Sequence, residues 1–261
     1  MTTTQKATQA SQGKLYLVPA PLDFGCDSQA GLQNTMPQGT LRVAAMLQYW
    51  ICENAKSARA YLKRVNDITP LSSPLQALNI QELPREVHKK GDHTGNFDAR
   101  HLLAPAQAGH DMGLVSEAGM PAVADPGSSV VRAAHDLGIE VIPLTGPVSL
   151  LLALAASGLN GQNFAFVGYL PQDGAERIQR IKELESLALR IGQTQLFIET
   201  PYRNAAMMQA LLQTLQPNTR LAISSGLTLT TGACRSDSVK NWRQQSSPLN
   251  NSTPVVFSLG R

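Results

Sequence analysis

The stretch that most constrains this 261-residue chain is Gly113 to Gly161. It reads as two short apolar strands, each ending in a loop of small residues and prolines that feeds a helix. Gly113 to Val115 drops into Ser116 to Gly127, and a helix follows with Ser128 or Ser129 as its N-cap and Gly138 as its stop. Ile139 to Leu144 is the second strand and ends on Thr145-Gly146-Pro147. A very apolar helix then runs from Pro147 to Gly158, proline suiting a first helical position. Strand, crossover helix, strand, helix is the unit from which parallel α/β sheets are built. Both loops would lie at carboxyl ends of strands, where open α/β sheets bind ligands. Ala118, Gly119, Gly127 and Gly146 leave the main chain approachable, and Pro121, Pro126 and Pro147 stiffen it. Two readings stand: a ligand gripped by backbone groups, or the tight turns of an α/β core.

The flanking sequence extends the alternation. Leu15 to Val18 is a strand stopped by Pro19-Ala20-Pro21-Leu22, in which Pro19 either walls a cleft or only stiffens a turn. Leu41 to Trp50 is an apolar stretch that Ile51 to Asn54 continues as a strand, and Ala55 to Val65 is a helix rich in Ala, Lys and Arg. Glu53 at that strand end is a base or substrate-orienting group, or else a carboxylate favouring the N-terminus of the next helix. Leu75 to Leu83 forms one short strand or a turn of helix. The polar loop Gly91 to Asp98 carries His93, a candidate substrate contact. His88, His93, His101 and His110 share this region, but their spacing matches no metal-ligand pattern. In the second half, strands are expected at 164–167, 194–200, 220–224 and 255–259. Helices are expected at 175–191 and 204–215, with a short helical element at 236–242. The domains drawn from this pattern are residues 14–146, a connecting helix 147–162, and residues 163–261.

Composition narrows the class. A formal charge of +3 is too small to argue for nucleic acid by itself, so any RNA contact needs a local basic patch. Cys26, Cys52 and Cys234 are odd in number and form no C-x-x-C, which reads as reduced thiols in a cytoplasmic protein. No segment reaches the ~20 apolar residues of a membrane span. Met1 to Gly13 reads as a disordered tail without a signal-peptide core. A soluble cytoplasmic enzyme is the expectation.

Four segments then become specific together. Ser116-Glu117-Ala118-Gly119-Met120-Pro121-Ala122-Val123-Ala124-Asp125-Pro126-Gly127 resembles the second glycine loop of the tetrapyrrole methylase family of S-adenosylmethionine (SAM) methyltransferases, closest to its ribosomal RNA branch. Pro143 to Pro147 with Ala155 to Leu159, Phe166 to Pro171, and Phe197 to Arg203 resemble later segments of that branch in the same order. The resemblance implies an α/β protein of two α/β domains with mixed, mostly parallel sheets and the cofactor cleft between them. It implies SAM as cofactor, no metal, a homodimer, and an RNA substrate methylated at a ribose 2′-hydroxyl. It places Pro19, Glu117, Gly119, Met120, Pro121, Val123 and Ala124 along one side of SAM, and Ser149 and Leu150 along another. Glu199 and Ala222, at strand ends of the second domain, complete the set. Two departures stand out. Glu53-Asn54-Ala55-Lys56 stands where the branch carries Glu-Asp-Thr-Arg, and Glu117 where it usually has Asp. Arg203 holds either an RNA phosphate or Glu199. A small-molecule (tetrapyrrole-like) acceptor and a SAM-binding module without transfer activity remain as alternatives.

Overall fold

Five short strands, β1 (Leu15–Leu17), β2 (Tyr49–Cys52), β3 (Asn79–Glu82), β4 (Met112–Val115) and β5 (Val141–Pro143), form an all-parallel sheet in the order β3-β2-β4-β1-β5. The computed structural model that shows this describes residues 11–22, 29–90, 92, 95, 97–246 and 249–261, leaving out the side chains of residues 88–90. This sheet belongs to a unit made of residues 11–22 and Gly31–Pro147; Val148–Arg261 with residues 29 and 30 make a second unit.

In the first unit the strands are separated by α1 (Leu32–Thr35), α2 (Gln38–Met46), α3 (Ala55–Asn66), α4 (Arg85–Lys90), α5 (Ala104–Gln107) and α6 (Ser128–Asp136), as parallel pairing requires. The strands alternate between two cores. Val18, Trp50 and Val115 pack with α2 and α3 on one face. Leu15, Ile51 and Leu114 pack with Leu103, Val130 and Ala134 on the other. Gly113 makes this possible: a Cβ there would lie 2.5 Å from the Trp50 ring, so the glycine lets the buried indole lie flat over β4.

Two expectations are corrected here. The strand expected at 51–54 is β2, which takes in the last two residues of the apolar stretch Leu41–Trp50 and stops before Glu53. Leu41, Ala44 and Ala45 are buried at helical spacing on α2, the chain turns at Leu47, and β2 ends at Cys52. Asn54 is outside the strand because its side chain caps α3, accepting from Lys56 N at 2.9 Å and Ser57 N at 3.2 Å. Leu75 to Leu83 holds both predicted features, a 3-10 turn at Leu75–Ala77 and then β3. At the start of the chain, Gly13 N donates to Ala106 O at 2.9 Å, which ties the end of the expected tail to this unit.

The second unit opens with α7 (Ser149–Ser157), followed by β6 (Phe164–Tyr169), α8 (Gly174–Ile191), β7 (Thr194–Glu199), α9 (Asn204–Thr214), β8 (Arg220–Ser225), β9 (Ala233–Ser238), α10 (Val239–Trp242) and β10 (Val255–Gly260). The sheet order is β6-β7-β10-β8-β9; β6 and β7 are parallel and the remaining pairs antiparallel. Helix α7 starts two residues after Pro147 and packs through Leu150, Ala153 and Leu154 on Leu196 and Val256. It is thus part of the second core, where the sequence had set 147–162 apart as a connector. The opposite face carries α8, α9 and α10 around the stacked Phe197 and Phe257, whose ring centroids are 5.5 Å apart. Helix α8 follows its signals closely: Asp173 accepts from Ala175 N and Glu176 N, and Gly192 closes the helix in the left-handed region. Strand β9 takes residues 233–238, so the helical element expected at 236–242 shrinks to α10; pairing with β8 overrides the local pattern.

The start of α6 departs from expectation in a way that matters. Gly127, at φ 139°, is the N-cap, with no cap from its own neighbours. The cap comes from Asp92, a buried carboxylate 35 residues upstream. It accepts from Gly127 N (2.9 Å), Ser128 Oγ (2.7 Å), Ser129 N (2.8 Å) and Ser129 Oγ (2.6 Å). Burial alone would raise its pKa, but the hydrogen bonds from Ser129, Ser128 and Gly127 outweigh it and hold Asp92 below the usual carboxylate range. The negative charge sits on the positive end of the helix. Its stabilising effect is therefore complete above the ordinary carboxylate pKa and lost as pH falls below it. Replacing Asp92 by Asn should cost roughly 2–4 kcal/mol in urea denaturation at pH 7. That difference should shrink on titration below about pH 4; a loss that does not depend on pH would exclude the charged cap.

Candidate functional site

Strands β1 and β4 lie side by side at the centre of the first sheet, and the chain leaves them toward opposite faces. After β1 it goes to α1 and α2; after β4 it goes to α6. Such a switch point opens a crevice at the carboxyl ends of the strands. The two loops meet there as a pair of main-chain bonds. Ala20 N donates to Gly119 O at 2.9 Å, and Gly119 N donates to Ala20 O at 2.7 Å.

The glycines on these loops divide by what surrounds them. A Cβ on Gly146 would lie 2.4 Å from Pro19, and one on Gly127 would crowd Leu114 and Ala122. These two serve packing, and Pro19 with Gly146 forms one closed wall. At Gly119, with φ 73°, a Cβ would meet nothing within 4 Å. Its surroundings are open, and its main chain is the most approachable of the three. Ala122 and Ala124 adopt left-handed φ values of 64° and 68°, costing about 1–2 kcal/mol each. Strain of this kind in a non-glycine loop persists only when the surroundings impose it, and it clusters at functional sites. Val123 between them is 42% exposed, and Met120 is half-buried. Thr40 Oγ1 donates to Thr145 O at 2.7 Å, tying α2 to the loop after β5.

Carboxylates gather at the same strand ends. Glu53, after β2, accepts from Glu117 N at 3.4 Å. Glu117 accepts from Ser57 Oγ at 2.9 Å, and Glu82 accepts from Ala55 N at 2.5 Å. Asp125, half-buried, receives no hydrogen-bond donor among the described residues. Burial, then the negative charges of Glu53 and Glu117, push its pKa up to about 7. Sequence reasoning did not single out Asp125, which lies within the Ser116 to Gly127 loop that resembles the family's second glycine loop. The available signal was a lone carboxylate between Ala124 and Pro126 in a loop of small residues. Burial pushes the neighbouring Cys52 thiol up to about 12, so it is no nucleophile.

The second unit's candidates fall differently. Ser149 begins α7 half-buried, while Leu150 is buried in the core of that unit. Ala222 is fully buried within β8, paired with Ser258 and Ser236, and does not stand at a strand end as expected. Glu199 does end β7. All its donors converge on one oxygen: Arg203 Nη2 at 2.6 Å, Arg203 Nε at 2.9 Å, Thr200 N at 2.7 Å and Thr200 Oγ1 at 3.2 Å. Glu199 Oε2 is buried without a hydrogen-bond partner among the described residues. Of the two readings of Arg203, the structure realises the ion pair.

His93 and Cys26 lie outside the described residues. His110 stacks on Tyr49 at 4.9 Å and His101 packs edge-on against Phe97, which gives both local packing roles. Among the described residues no group of three His, Cys, Asp or Glu side chains could hold a metal ion, and no helix is long and apolar enough to cross a membrane.

The chain is similar to known proteins over most of its length. "Ribosomal RNA small subunit methyltransferase I" of Mesorhizobium japonicum is 35% identical over 216 residues, 83% of this chain and 64% of that protein. The Escherichia coli O157:H7 protein of the same name is 29% identical over 84% of this chain and 67% of its own length. The chain thus spans about two thirds, and against the first relative slightly less, of the lengths it matches. Among solved structures, that of the methyltransferase CobJ aligns with a TM-score of 0.56 at 17% identity, covering 95% of this chain and 94% of that one, a likeness of fold. The model of the Tetrapyrrole (Corrin/Porphyrin) Methylases matches residues 39–236, which include both the Gly119 loop and the Glu199 strand end, and the chain belongs to that family.

Proposed function

We propose that the protein is a SAM-dependent methyltransferase acting on RNA, at a ribose 2′-hydroxyl of ribosomal RNA. The observation that carries this reading is the open, main-chain-lined space at Gly119, set at the switch point of a parallel sheet. The residues present fit the donor. The loop side chains are small or apolar, and the carboxyl groups of Glu53, Glu117 and Asp125 at the same strand ends suit a cationic sulfonium. Bound SAM would supply a methyl group already activated for in-line displacement, so alignment by the protein can account for much of the rate.

In this reading Ala20 and Gly119 fix the floor of the site through their paired main chain, and Pro19, packed against Gly146, forms one wall. Met120, Pro121, Val123 and Ala124 form its apolar wall. Glu117, steadied by Ser57, sets negative charge beside the donor. Asp125, whose pKa is pushed up to about 7 by burial and then by the charges of Glu53 and Glu117, is the carboxyl able to take the acceptor's proton near neutrality. Glu53, the base suggested from sequence, accepts from Glu117 N and so orients the loop. Ser149, Leu150, Glu199 and Ala222 belong to the proposal by resemblance; Leu150 and Ala222 can offer only their main chain, since both side chains are buried. The names of the relatives favour RNA over a tetrapyrrole acceptor. Asn54 performs the capping that an aspartate would perform, so the altered Glu53–Lys56 segment keeps its structural task. This favours an active enzyme over a binding module. A cytoplasmic site of action and a homodimer belong to the same proposal.

Incubation with methyl-labelled SAM and cell lysate should put the label in the RNA fraction; label confined to small molecules or protein would overturn the RNA assignment. Gly119→Val should weaken SAM binding at least tenfold by calorimetry, by filling open space, while costing only about 1–2 kcal/mol of stability. Unchanged affinity would move the donor elsewhere. For Asp125 the folded pKa of about 7 exceeds the ordinary value near 3.8, so the protein loses stability as pH rises between them. Asp125→Asn should therefore gain roughly 1–3 kcal/mol on the parent between pH 4 and 8. It should also lower methyl transfer by about 10²-fold. A stability difference that stays flat with pH, or full activity, would remove Asp125 from the mechanism.

A further inference from the structure

Helix α3 carries four cations, Lys56, Arg59, Lys63 and Arg64, and no carboxylate. Ser57, Ala58, Tyr61, Leu62 and Val65 are its buried face. Lys56, Arg59 and Lys63 are exposed, spaced three and four residues apart, and so form one stripe on the opposite side. At helical rise the stripe is about 10 Å long. None of these three side chains has a carboxylate within ion-pair distance among the described residues. Like charges at this spacing cost a helix a few tenths of a kcal/mol per pair.

Helix α8 shows that this is not the general habit of the chain. Its four cations, Arg177, Arg180, Lys182 and Arg190, are interleaved with Glu176, Glu183 and Glu185, and Arg180 pairs with Glu183 at 3.3 Å. With a net charge of only +3, the exposed Lys56, Arg59 and Lys63 of α3 are a local concentration of positive charge. The stripe is also continuous with the candidate site. It begins one turn from Asn54, and Ser57 of the same helix holds Glu117 of the Gly119 loop.

We infer that the exposed face of α3 is a docking track for the phosphates of an RNA strand, leading the acceptor nucleotide to the Gly119 loop. The inference rests on the RNA reading proposed above and names the surface that serves it. Lysine and arginine on a bare helix face contact phosphate as point charges and carry no sequence information; they position the strand. The carboxylates Glu53, Glu82 and Glu117 lie at the N-terminal end of the track, where a phosphate would be repelled and a neutral ribose hydroxyl would not.

The test compares a triple variant, Lys56→Gln, Arg59→Gln and Lys63→Gln, with the parent and with a Lys182→Gln, Arg190→Gln control on α8. The probe is a fluorescein-labelled 30-nucleotide single-stranded RNA, titrated between 50 and 200 mM salt, with SAM affinity measured in parallel as a check of fold. Losing three phosphate contacts should flatten the salt dependence of log K by about 2 and weaken binding more than tenfold at 100 mM salt. The α8 control should bind as the parent does, and all three proteins should bind SAM alike. A parent that binds RNA with an α3 variant of unchanged slope overturns the inference and leaves the RNA enzyme standing. Equal weakening by the α8 control also overturns it, as general charge loss. A parent that binds no RNA overturns both readings together.

Discussion

Two main-chain hydrogen bonds, Ala20 to Gly119 and back, hold together the loops on which the rest of the first unit converges. Strands β1 and β4 send their chains to opposite faces of the sheet, so their loops would otherwise diverge. The reciprocal pair joins them without using any side chain. It can do so because Gly119 adopts a left-handed conformation at no steric cost, and because Pro19 is seated against Gly146. The strain of Ala122 and Ala124 is tolerated in the same loop because Asp92, Glu53 and Ser57 fasten its two ends.

The charges of the first unit are sorted by place. Carboxyl groups occupy the strand ends, where burial and then the charges of Glu53 and Glu117 move the proton affinity of Asp125 toward neutrality. Cations line the shaft of α3. The N-terminal turn of that helix joins the two, since Asn54 caps it while Ser57 reaches back to Glu117. A small net charge conceals this separation, and the same number of cations on α8 is largely cancelled by its three glutamates.

Much of this order was readable in the chain itself. Periodicity and punctuation located β4, α6, β5, α8, β7 and α9 within a residue or two, because each is bounded by a cap, a glycine or a proline. The small-residue loops announced where a ligand could approach. What could not be read was set by contacts distant in sequence. The N-cap of α6 is Asp92, far upstream, where local reading chose Ser128 or Ser129. The boundary between α2 and β2 lies inside one apolar run, which hydrophobicity alone cannot divide. Strand β9 carries Arg235 and Asp237 and is held by pairing to β8. The affinity of Asp125 for its proton depends on two carboxylates from other positions, and Ala222 looks terminal only until its ladder partners are known.

The position of Asp92 bears on which nucleotides this loop can hold. Many α/β proteins seize a pyrophosphate with the bare amide groups that begin the helix after their glycine loop. Here two of those amides, Gly127 N and Ser129 N, are already occupied by the protein's own carboxylate, whose charge opposes a phosphate as well. An adenine nucleotide whose grip relies on its phosphates would be turned away from this loop, whereas an adenosine derivative without phosphate would lose nothing. Discrimination between the two would thus be built into the end of a helix.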